Sequence, residues 1–543
     1  MKNRTVVLWG LAAVFVLLMS VPFLVDGCGW LALLGFVPLL CMERVASENG
    51  VKHFWWWHYG TFVAWNIVTT FWVCNATVGG GIFAALANAL QMSLVFGAFR
   101  WVKRRMKRSA SVPYLFLAAA WIAWEKYYLT VAQISWPWLV LGNAFAGTVR
   151  LVQWYEFTGA LGGSLWAWAS SLSVFGLMVA LSDGRFSSRW NGKARAAALL
   201  GTVLVLFGPM IWSAILWNRY EEVSERTLPV VIAQPNFDPY NKFGGMTQDQ
   251  QTAVLLDQFA QGLKGMDDED ILLLAPETFT SDIFCNDVPS SRTFRRFLSF
   301  LQEHPSAEIL FGASSWTRYE QAERPSANAR KMGDGDWYET HNSALIVDST
   351  GRYGLYQKSK LVPGVEMLPY PSVLGPIDDK LLGGVAGRCV GQESVSNLMF
   401  RQSVPIGCAV CYESVYGEHC AAYVRAGAQL LTVITNDAWW GDTPGYRQHL
   451  NYARLRAIET RRDIARCGNT GISAFIDQKG QILSRSTWWE PAVLKGTVNL
   501  SSRQTFFVRA GDIVGRLSVF LCVLFFAAAL VTTDRWKSRK GVK

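Results

Sequence analysis

The sequence predicts a multi-pass α-helical membrane domain of about eight spans joined to an α/β domain whose sheets are covered by helices. Three observations predict it. The 543 residues are 51% hydrophobic and only 17% charged, too apolar for an ordinary soluble protein of this size. Apolar runs long enough to cross a bilayer, which takes about 20 residues, crowd the first 220 positions and recur near the C-terminus. Between them lies a hydrophilic stretch in which short apolar runs alternate with amphipathic ones.

The long apolar runs fall near 6–25, 54–74, 79–99, 113–130, 160–182, 196–217 and 511–533, and a shorter one, "GWLALLGFVPLLCM" at 29–42, reads as the returning arm of a hairpin. A basic start and apolar centre also give residues 1–25 the look of a signal peptide, but another apolar run follows at once, so a retained first span is expected. Loop charge orients the set. Segment 100–108, "RWVKRRMKR", holds six basic residues, "DGRFSSRWNGKAR" holds four and the tail from Arg535 five, whereas 26–28, 75–78 and 131–149 hold none. By the positive-inside rule both termini are cytoplasmic and the hydrophilic stretch lies outside. The domains expected are thus 1–219, seven transmembrane helices; 220–508, an extracytoplasmic α/β domain; and 509–543, a last helix with a basic cytoplasmic tail. The net charge of +10 sits beside the spans, which points to membrane topology and not to nucleic acid. Glu125 in "WIAWEKYYL" is an intramembrane carboxylate, a type that is rare and often functional; the alternative, near the outer end of its span, is that it simply faces water or pairs with Lys126. "SWPWL" at 135–139 reads as an interfacial anchor.

In the hydrophilic stretch, "LPVVIAQPN" (228–236), "DILLLAPET" (270–278), "AEILFGASS" (307–315), "SALIVDSTG" (343–351), "VPIGCAVCYE" (404–413) and "QLLTVITND" (429–437) read as buried strands. "TQDQQTAVLLDQFAQGLKG" and "RQHLNYARLRAIETRRDIAR" read as helices with one apolar face. "SALIVDSTGRYGLYQ" and "SAFIDQKGQILSR" each set Asp-x-x-Gly between apolar runs, the signature of a type I turn closing a β-hairpin.

Three residues stand out for chemistry. Glu277 follows "ILLLAP", where α/β enzymes place catalytic groups, though taken singly it reads rather as a helix N-cap or surface glutamate. Lys358 in "YGLYQKSKLVP" competes with Lys360, and spacing alone does not choose between them. Cys411 ends the strand "VPIGCAVC" and needs a nearby base or cation to act as a thiolate. Cys408 does not pair with it: in an extended strand, residues three apart are separated by roughly 10 Å, and a disulfide needs Cα atoms within about 7 Å. No second C-x-x-C follows and the chain has six His, so no metal site is expected. Cofactor motifs, a glycine-rich phosphate loop or H-E-x-x-H, are missing too.

Taken in order, "APE" at 275–277, "YQKSKLVP" at 356–363 and "CYE" at 411–413 resemble the Glu–Lys–Cys signature of the nitrilase superfamily. Eight spans around such a domain resemble its membrane-embedded branch, whose members complete bacterial lipoprotein maturation. The resemblance implies an αββα sandwich. It casts Glu277 as general base, Lys358 as oxyanion stabiliser and Cys411 as nucleophile, with Glu366, Tyr412 and Glu413 in support. "TNDAWWG" (435–441) and "QHL" (448–450) are similar to further family loops, and Phe243, Trp439 and Trp440 become candidates for loops over lipid. Two departures stand: members often read L-V-P-F-G-E where this chain has "LVPGVE", and Trp follows Lys where this chain has Lys242-Phe243. The implied reaction moves an acyl chain from a phospholipid resembling phosphatidylethanolamine onto Cys411 as a thioester. The chain then passes to the α-amine of the diacylglyceryl-cysteine of an apolipoprotein, without a cofactor and at the periplasmic side of the inner membrane. Two other readings are a membrane-tethered nitrilase-type amidase acting on a soluble amide and a non-catalytic transporter or receptor. Seven spans ahead of the domain are more than a tether needs.

Overall fold

The computed structural model describes residues 2–182, 192–238, 245–266, 270–320, 323–333, 335–370 and 387–540. The chain divides into two compact units, one of residues 1–132, 136–220 and 512–543, the other of residues 133–135 and 221–511.

The first unit is helical. It comprises α1 (Lys2–Leu24), α2 (Val37–Glu48), α3 (Phe54–Thr70), α4 (Val78–Arg105), α5 (Val112–Thr130), α6 (Ala160–Ser182), α7 (Gly192–Arg219) and, from the far end of the chain, α12 (Ile513–Lys540). Each of the eight expected runs is helical. Among the described residues, six segments are long and apolar enough to cross a membrane: Arg4–Leu24, Gly29–Glu48, Val78–Arg105, Ala160–Ser182, Gly192–Arg219 and Ile513–Thr532. The other two, α3 and α5, have 17 and 19 residues. At about 1.5 Å per residue, α3 reaches about 26 Å, short of a hydrocarbon core of about 30 Å. Polar side chains tie the helices together, as expected where lipid removes the hydrophobic drive: Asn88 Nδ2 donates to Asn66 Oδ1 at 2.8 Å.

Two expectations for this unit are corrected. Glu125 neither faces water nor pairs with Lys126. It is fully buried, its Oε1 accepting from Trp121 Nε1 at 3.2 Å and Leu141 N at 2.8 Å, while Lys126 pairs with Asp512 at 3.4 Å. Trp138 of "SWPWL" is buried, stacked on Trp136 with ring centroids 5.1 Å apart, because the segment turns inward as a short 3-10 helix, Pro137–Leu139.

The second unit is built on two sheets. In chain order its elements are β1 (Arg226–Gln234), α8 (Gln248–Leu263), β2 (Ile271–Leu274), β3 (Thr280–Phe284), α9 (Arg292–Glu303), β4 (Ala307–Tyr319), β5 (Arg330–Lys331), β6 (Trp337–Val347), β7 (Tyr353–Gln357), β8 (Leu398–Phe400), β9 (Val404–Val410), α10 (Gly417–Arg425), β10 (Leu430–Thr435), α11 (Pro444–Thr460), β11 (Ile464–Gly468), β12 (Ala474–Ile476), β13 (Ile482–Arg485) and β14 (Ala492–Leu500). One sheet runs β14-β1-β2-β4-β6-β5, with β3 added on β4 and β7 on β6; the other runs β13-β12-β11-β10-β9-β8.

Alternation along the strands makes the layers. Val230, Ile232, Leu272, Leu274, Leu310 and Ile346 share a core with Ile406, Cys408 and Val433 of the other sheet. The residues between them, Val231, Leu273, Ile309 and Phe311, pack instead on Leu255 and Phe259 of α8 and Phe297 of α9. A period of two thus sends one face to the opposite sheet and the other to a helical layer, and α10 and α11 cover the second sheet. This is the αββα sandwich.

Local signals hold where the chain turns. Asp348–Gly351 closes the β6–β7 hairpin and Asp477–Gly480 the β12–β13 hairpin, Gly N donating to Asp O in both. Thr247 and Gln250 form a reciprocal capping box that starts α8. The helix expected over 447–466 is corrected: α11 stops at Thr460, Arg461 adopts a left-handed φ of 49°, and Ile464–Gly468 becomes a central strand parallel to β10. Nor does α11 have only one apolar face, since it is buried on nearly every side.

Gly312 on β4 lets the strand pass the loop after β2. A Cβ there would lie 2.5 Å from Glu277 Cα and 2.7 Å from Thr278 N. Gly312→Val is expected to cost about 1–3 kcal/mol by overpacking and to displace Glu277. A fall in the thermal unfolding midpoint in detergent, with loss of activity, checks it.

Candidate active site

The ends of the strands bring the expected residues together. Glu277 lies three residues beyond β2, on a loop laced to β4 by Ala275 N→Leu310 O, Gly312 N→Pro276 O and Phe279 N→Gly312 O. Lys358 directly follows β7, its N–H donating to Asn342 O on β6 at 2.8 Å. Both side chains are buried. Lys358 Nζ donates to Glu366 Oε1 at 2.9 Å and lies 3.4 Å from Glu277 Oε1. Asn342 Nδ2 bridges the same two carboxylates at 2.8 and 2.7 Å. Main-chain donors complete the shell, Asn436 N to Glu277 Oε2 at 3.0 Å and Val362 N to Glu366 Oε2 at 2.7 Å.

This cluster sets the charge states. Burial works against the Lys358 ammonium, but Glu366, then Glu277 and Cys411, outweigh it and raise its pKa. The two lysines part because the chain bends at Ser359 and Lys360, just beyond the bond of Lys358 N to β6. Lys360 turns away, its Nζ 5.7 Å from the Tyr416 ring centroid, and burial lowers its pKa despite Glu413.

Cys411 follows β9 and opens a 3-10 turn, Cys411–Val415. It is therefore not the last residue of the strand but the first of the turn, and its φ is +50°. A non-glycine residue in that region costs on the order of 1–3 kcal/mol and persists only where its surroundings hold it. Burial, then Glu277, pushes the thiol pKa up well above its ordinary value, and Lys358 pulls it down. At rest the sulfur is a thiol beside a carboxylate and an ammonium, which is the protonation state a general base acts on. Cys408 packs in the sandwich core, and burial pushes its thiol up to about 12; both cysteines are free.

Glu413 does not join the cluster. Buried behind the turn, it accepts from Val410 N at 2.9 Å, Tyr356 OH at 2.6 Å, Ser359 N at 2.8 Å and Lys360 N at 3.1 Å, with His419 Nε2 3.2 Å away. It thus clamps the chain just beyond Lys358 to the turn that starts at Cys411. Burial opposes its charge, but His419 and the hydrogen bonds win and hold its pKa at about 2. Tyr412 OH donates to Ser135 O at 2.8 Å. Trp440 sets its ring edge-on to His449 at 5.5 Å, Trp439 is 40% exposed, and Phe243 lies outside the described residues.

Sequence reasoning missed Asn342, whose signal is the polar "THNS" inside an otherwise apolar strand. It gave no role to Asp437 and His449, which lie in "TNDAWWG" and "QHL", and passed over Arg466. Cys411, Asp437 and His449 present ligand-type atoms within 4.8 Å of one another. The chemistry of the set does not suit a metal ion. Asp437 already accepts from Thr435 Oγ1 at 2.7 Å, lies 2.9 Å from His449 Nδ1 and pairs with Arg466 Nη2 at 2.5 Å, and that guanidinium would repel a cation.

Two family models match the chain: Apolipoprotein N-acyltransferase N-terminal domain over residues 12–173 and Carbon-nitrogen hydrolase over residues 272–506. The apolipoprotein N-acyltransferase of Chlorobaculum tepidum is 28% identical over 512 residues, 92% of this chain and 91% of its own. That of Geobacter metallireducens is 26% identical over 535 residues, 96% and 94% respectively. That of Thermotoga maritima is 33% identical over 228 residues, 41% of this chain and 44% of its own.

Acid should loosen this site first. Glu413 and Asp437 both have pKa values of about 2 in the folded chain, against ordinary values of 4.5 and 3.8. Groups depressed in this way contribute stability in full above their unfolded values and lose it as pH falls through the folded ones. The unfolding midpoint in detergent is expected to drop steeply below about pH 4.5, and Glu413→Gln should flatten that drop.

Proposed function

The chain belongs to the apolipoprotein N-acyltransferase family, the membrane-embedded branch of the nitrilase superfamily, and from that premise we propose that Cys411 carries the acyl chain between two lipid substrates with Glu277 and Lys358 as its partners. The protein is a membrane acyltransferase acting in lipoprotein N-acylation. The observation that carries the residue assignment is the buried cluster in which Glu277 and Glu366 share the Lys358 ammonium within electrostatic reach of the Cys411 thiol.

In the first half-reaction Glu277 takes the thiol proton and Sγ attacks the acyl ester carbonyl of a phospholipid. Negative charge leaves Glu277 and arrives on sulfur, then on the carbonyl oxygen. Lys358 remains an ammonium throughout, because Glu366 holds its other side when Glu277 is neutral, so a donor is already aimed where the oxyanion forms. Collapse breaks the ester C–O bond, and the departing lysophospholipid oxygen takes the proton back from Glu277. In the second half-reaction the α-amine of a diacylglyceryl-cysteine attacks the thioester, its proton passing to Glu277. The C–S bond breaks, and the Cys411 thiolate is reprotonated. The product is an amide, the enzyme returns to its first state, and no cofactor enters the balance.

Both substrates are lipid-anchored, so a catalytic unit tied into the membrane supplies much of the proximity the reaction needs. The loop charges favour placing that unit on the periplasmic side with both termini in the cytoplasm. A phosphatidylethanolamine-like donor is the substrate proposed first. Trp439 and Trp440 are proposed to shield the thioester from water.

Purified protein incubated with phospholipid should carry an acyl adduct on Cys411 by peptide mass spectrometry, released when a diacylglyceryl-cysteine peptide is added. Cys411→Ala should carry none, and Glu277→Gln or Lys358→Met should slow its formation by about 10²–10³-fold. An adduct on another residue, or none in the unaltered protein, would sink the mechanism.

A further inference from the structure

The left-handed turn at Cys411 is held from beneath by a chain of buried polar groups that the reaction above leaves unused. The Cys411 carbonyl lies 3.0 Å from His449 Nε2 and accepts from Ser414 Oγ at 2.7 Å, and Ser414 Oγ is itself 2.9 Å from Nε2. On its other side the ring sets Nδ1 2.9 Å from Asp437 Oδ1. Asp437 is immobilised in turn: Thr435 Oγ1 donates to Oδ1 and Arg466 Nη2 to Oδ2, while Arg466 Nε donates to Ile472 O at 3.2 Å. Arg466 Nη2 also lies 3.2 Å from His449 Nδ1, but its shorter bond to Oδ2 points it at the carboxylate. Thr435, Asp437, His449 and Arg466 are all fully buried.

The ring is thus set between a carboxylate at Nδ1 and a peptide carbonyl at Nε2. Space has been cleared for this arrangement. A Cβ on Gly471 would lie 2.7 Å from Asp437 Oδ2. The same helix grips the far end of the turn: Arg456, seven residues after His449 and so on the same face of α11, donates from Nη1 to Val415 O at 2.8 Å and is held by Glu459 at 3.0 Å.

We propose that His449, oriented by Asp437 and Arg466, is a positioning residue that fixes the Cys411 carbonyl and thereby holds the left-handed backbone that presents the thiol to Glu277 and Lys358. It acts through the Cys411 carbonyl, with a ring nitrogen also within 4.8 Å of the sulfur. Its effect is on the fraction of molecules whose sulfur is aimed for attack, so it acts on the rate of thioester formation and not on the binding of phospholipid. The proposal rests on Cys411 being the acyl carrier.

The test is the rate of acyl-adduct formation on Cys411, followed by mass spectrometry in the full-length protein in detergent with phosphatidylethanolamine. His449→Leu, which keeps bulk but removes both ring nitrogens, is expected to lower the maximal rate about three- to tenfold, the range set by losing one of the carbonyl's two hydrogen bonds. The phospholipid concentration for half-maximal rate should stay within about twofold, as loss of an interaction outside substrate binding requires. His449→Gln, whose amide N–H can reach the same carbonyl, should recover most of the rate. Asp437→Asn, which leaves the imidazole in place but loosens its orientation, should fall between the two and keeps the test decisive if His449→Leu does not fold. Equal rates in His449→Leu and the unaltered protein overturn the proposal, as do equal losses in His449→Leu and His449→Gln at unchanged unfolding midpoints, or an unaffected Asp437→Asn. If the unaltered protein forms no adduct on Cys411, the acyl-carrier assignment itself fails, an outcome distinct from each of these.

Discussion

One ammonium shared by two carboxylates organises the catalytic unit. Lys358 is buried, so its charge is tolerated only because Glu277 and Glu366 face it and Asn342 joins them. Those four side chains come from four segments: the loop after β2, strand β6, the end of β7 and the loop that follows. Each segment must therefore sit in register for the charge to be neutralised, and a misplaced strand would strand a buried ion. The same electrostatics act on the neighbouring thiol, whose pKa burial and Glu277 raise and Lys358 lowers.

Around that pair the sandwich supplies rigidity in two ways. Apolar alternation on β1, β2, β4 and β6 locks one sheet against the other, so the strand ends that carry Glu277 and Cys411 have little freedom. Buried polar groups then fix the loops where apolar packing cannot. Glu413 ties the chain after Lys358 to the turn after β9, and Asn436 N ties the loop after β10 to Glu277. Each accepts or donates at the main chain, which is how a loop is held without a side chain of its own in the core.

Much of this was legible in sequence. The division into membrane and hydrophilic parts follows from composition and run length. Both Asp-x-x-Gly hairpins follow from turn chemistry confined to four residues, and β2 and much of β1 are apolar runs. What escaped was non-local or polar. β11 was read as the end of a helix, because "RDIAR" has no strand-like pattern until β10 and β12 bury it. No local pattern shows that Glu125 accepts from the main chain at Leu141, sixteen residues away. Asn342 sits in "THNS" on β6, whose polarity marks the run but not the member that enters the site.

By itself, then, the sequence determined the residue types and their order: a glutamate after one apolar run, a lysine after a hairpin, a cysteine before tyrosine and glutamate, and spans on either side. Only the tertiary structure decided which lysine enters the site, what holds it there and how Cys411 is presented. The physical reason is separation along the chain. Glu277 meets Asn342 and Lys358 across 65 and 81 residues, and the Cys411 carbonyl meets His449 across 38. Contacts of that range depend on sheet register and helix packing, which no local pattern encodes.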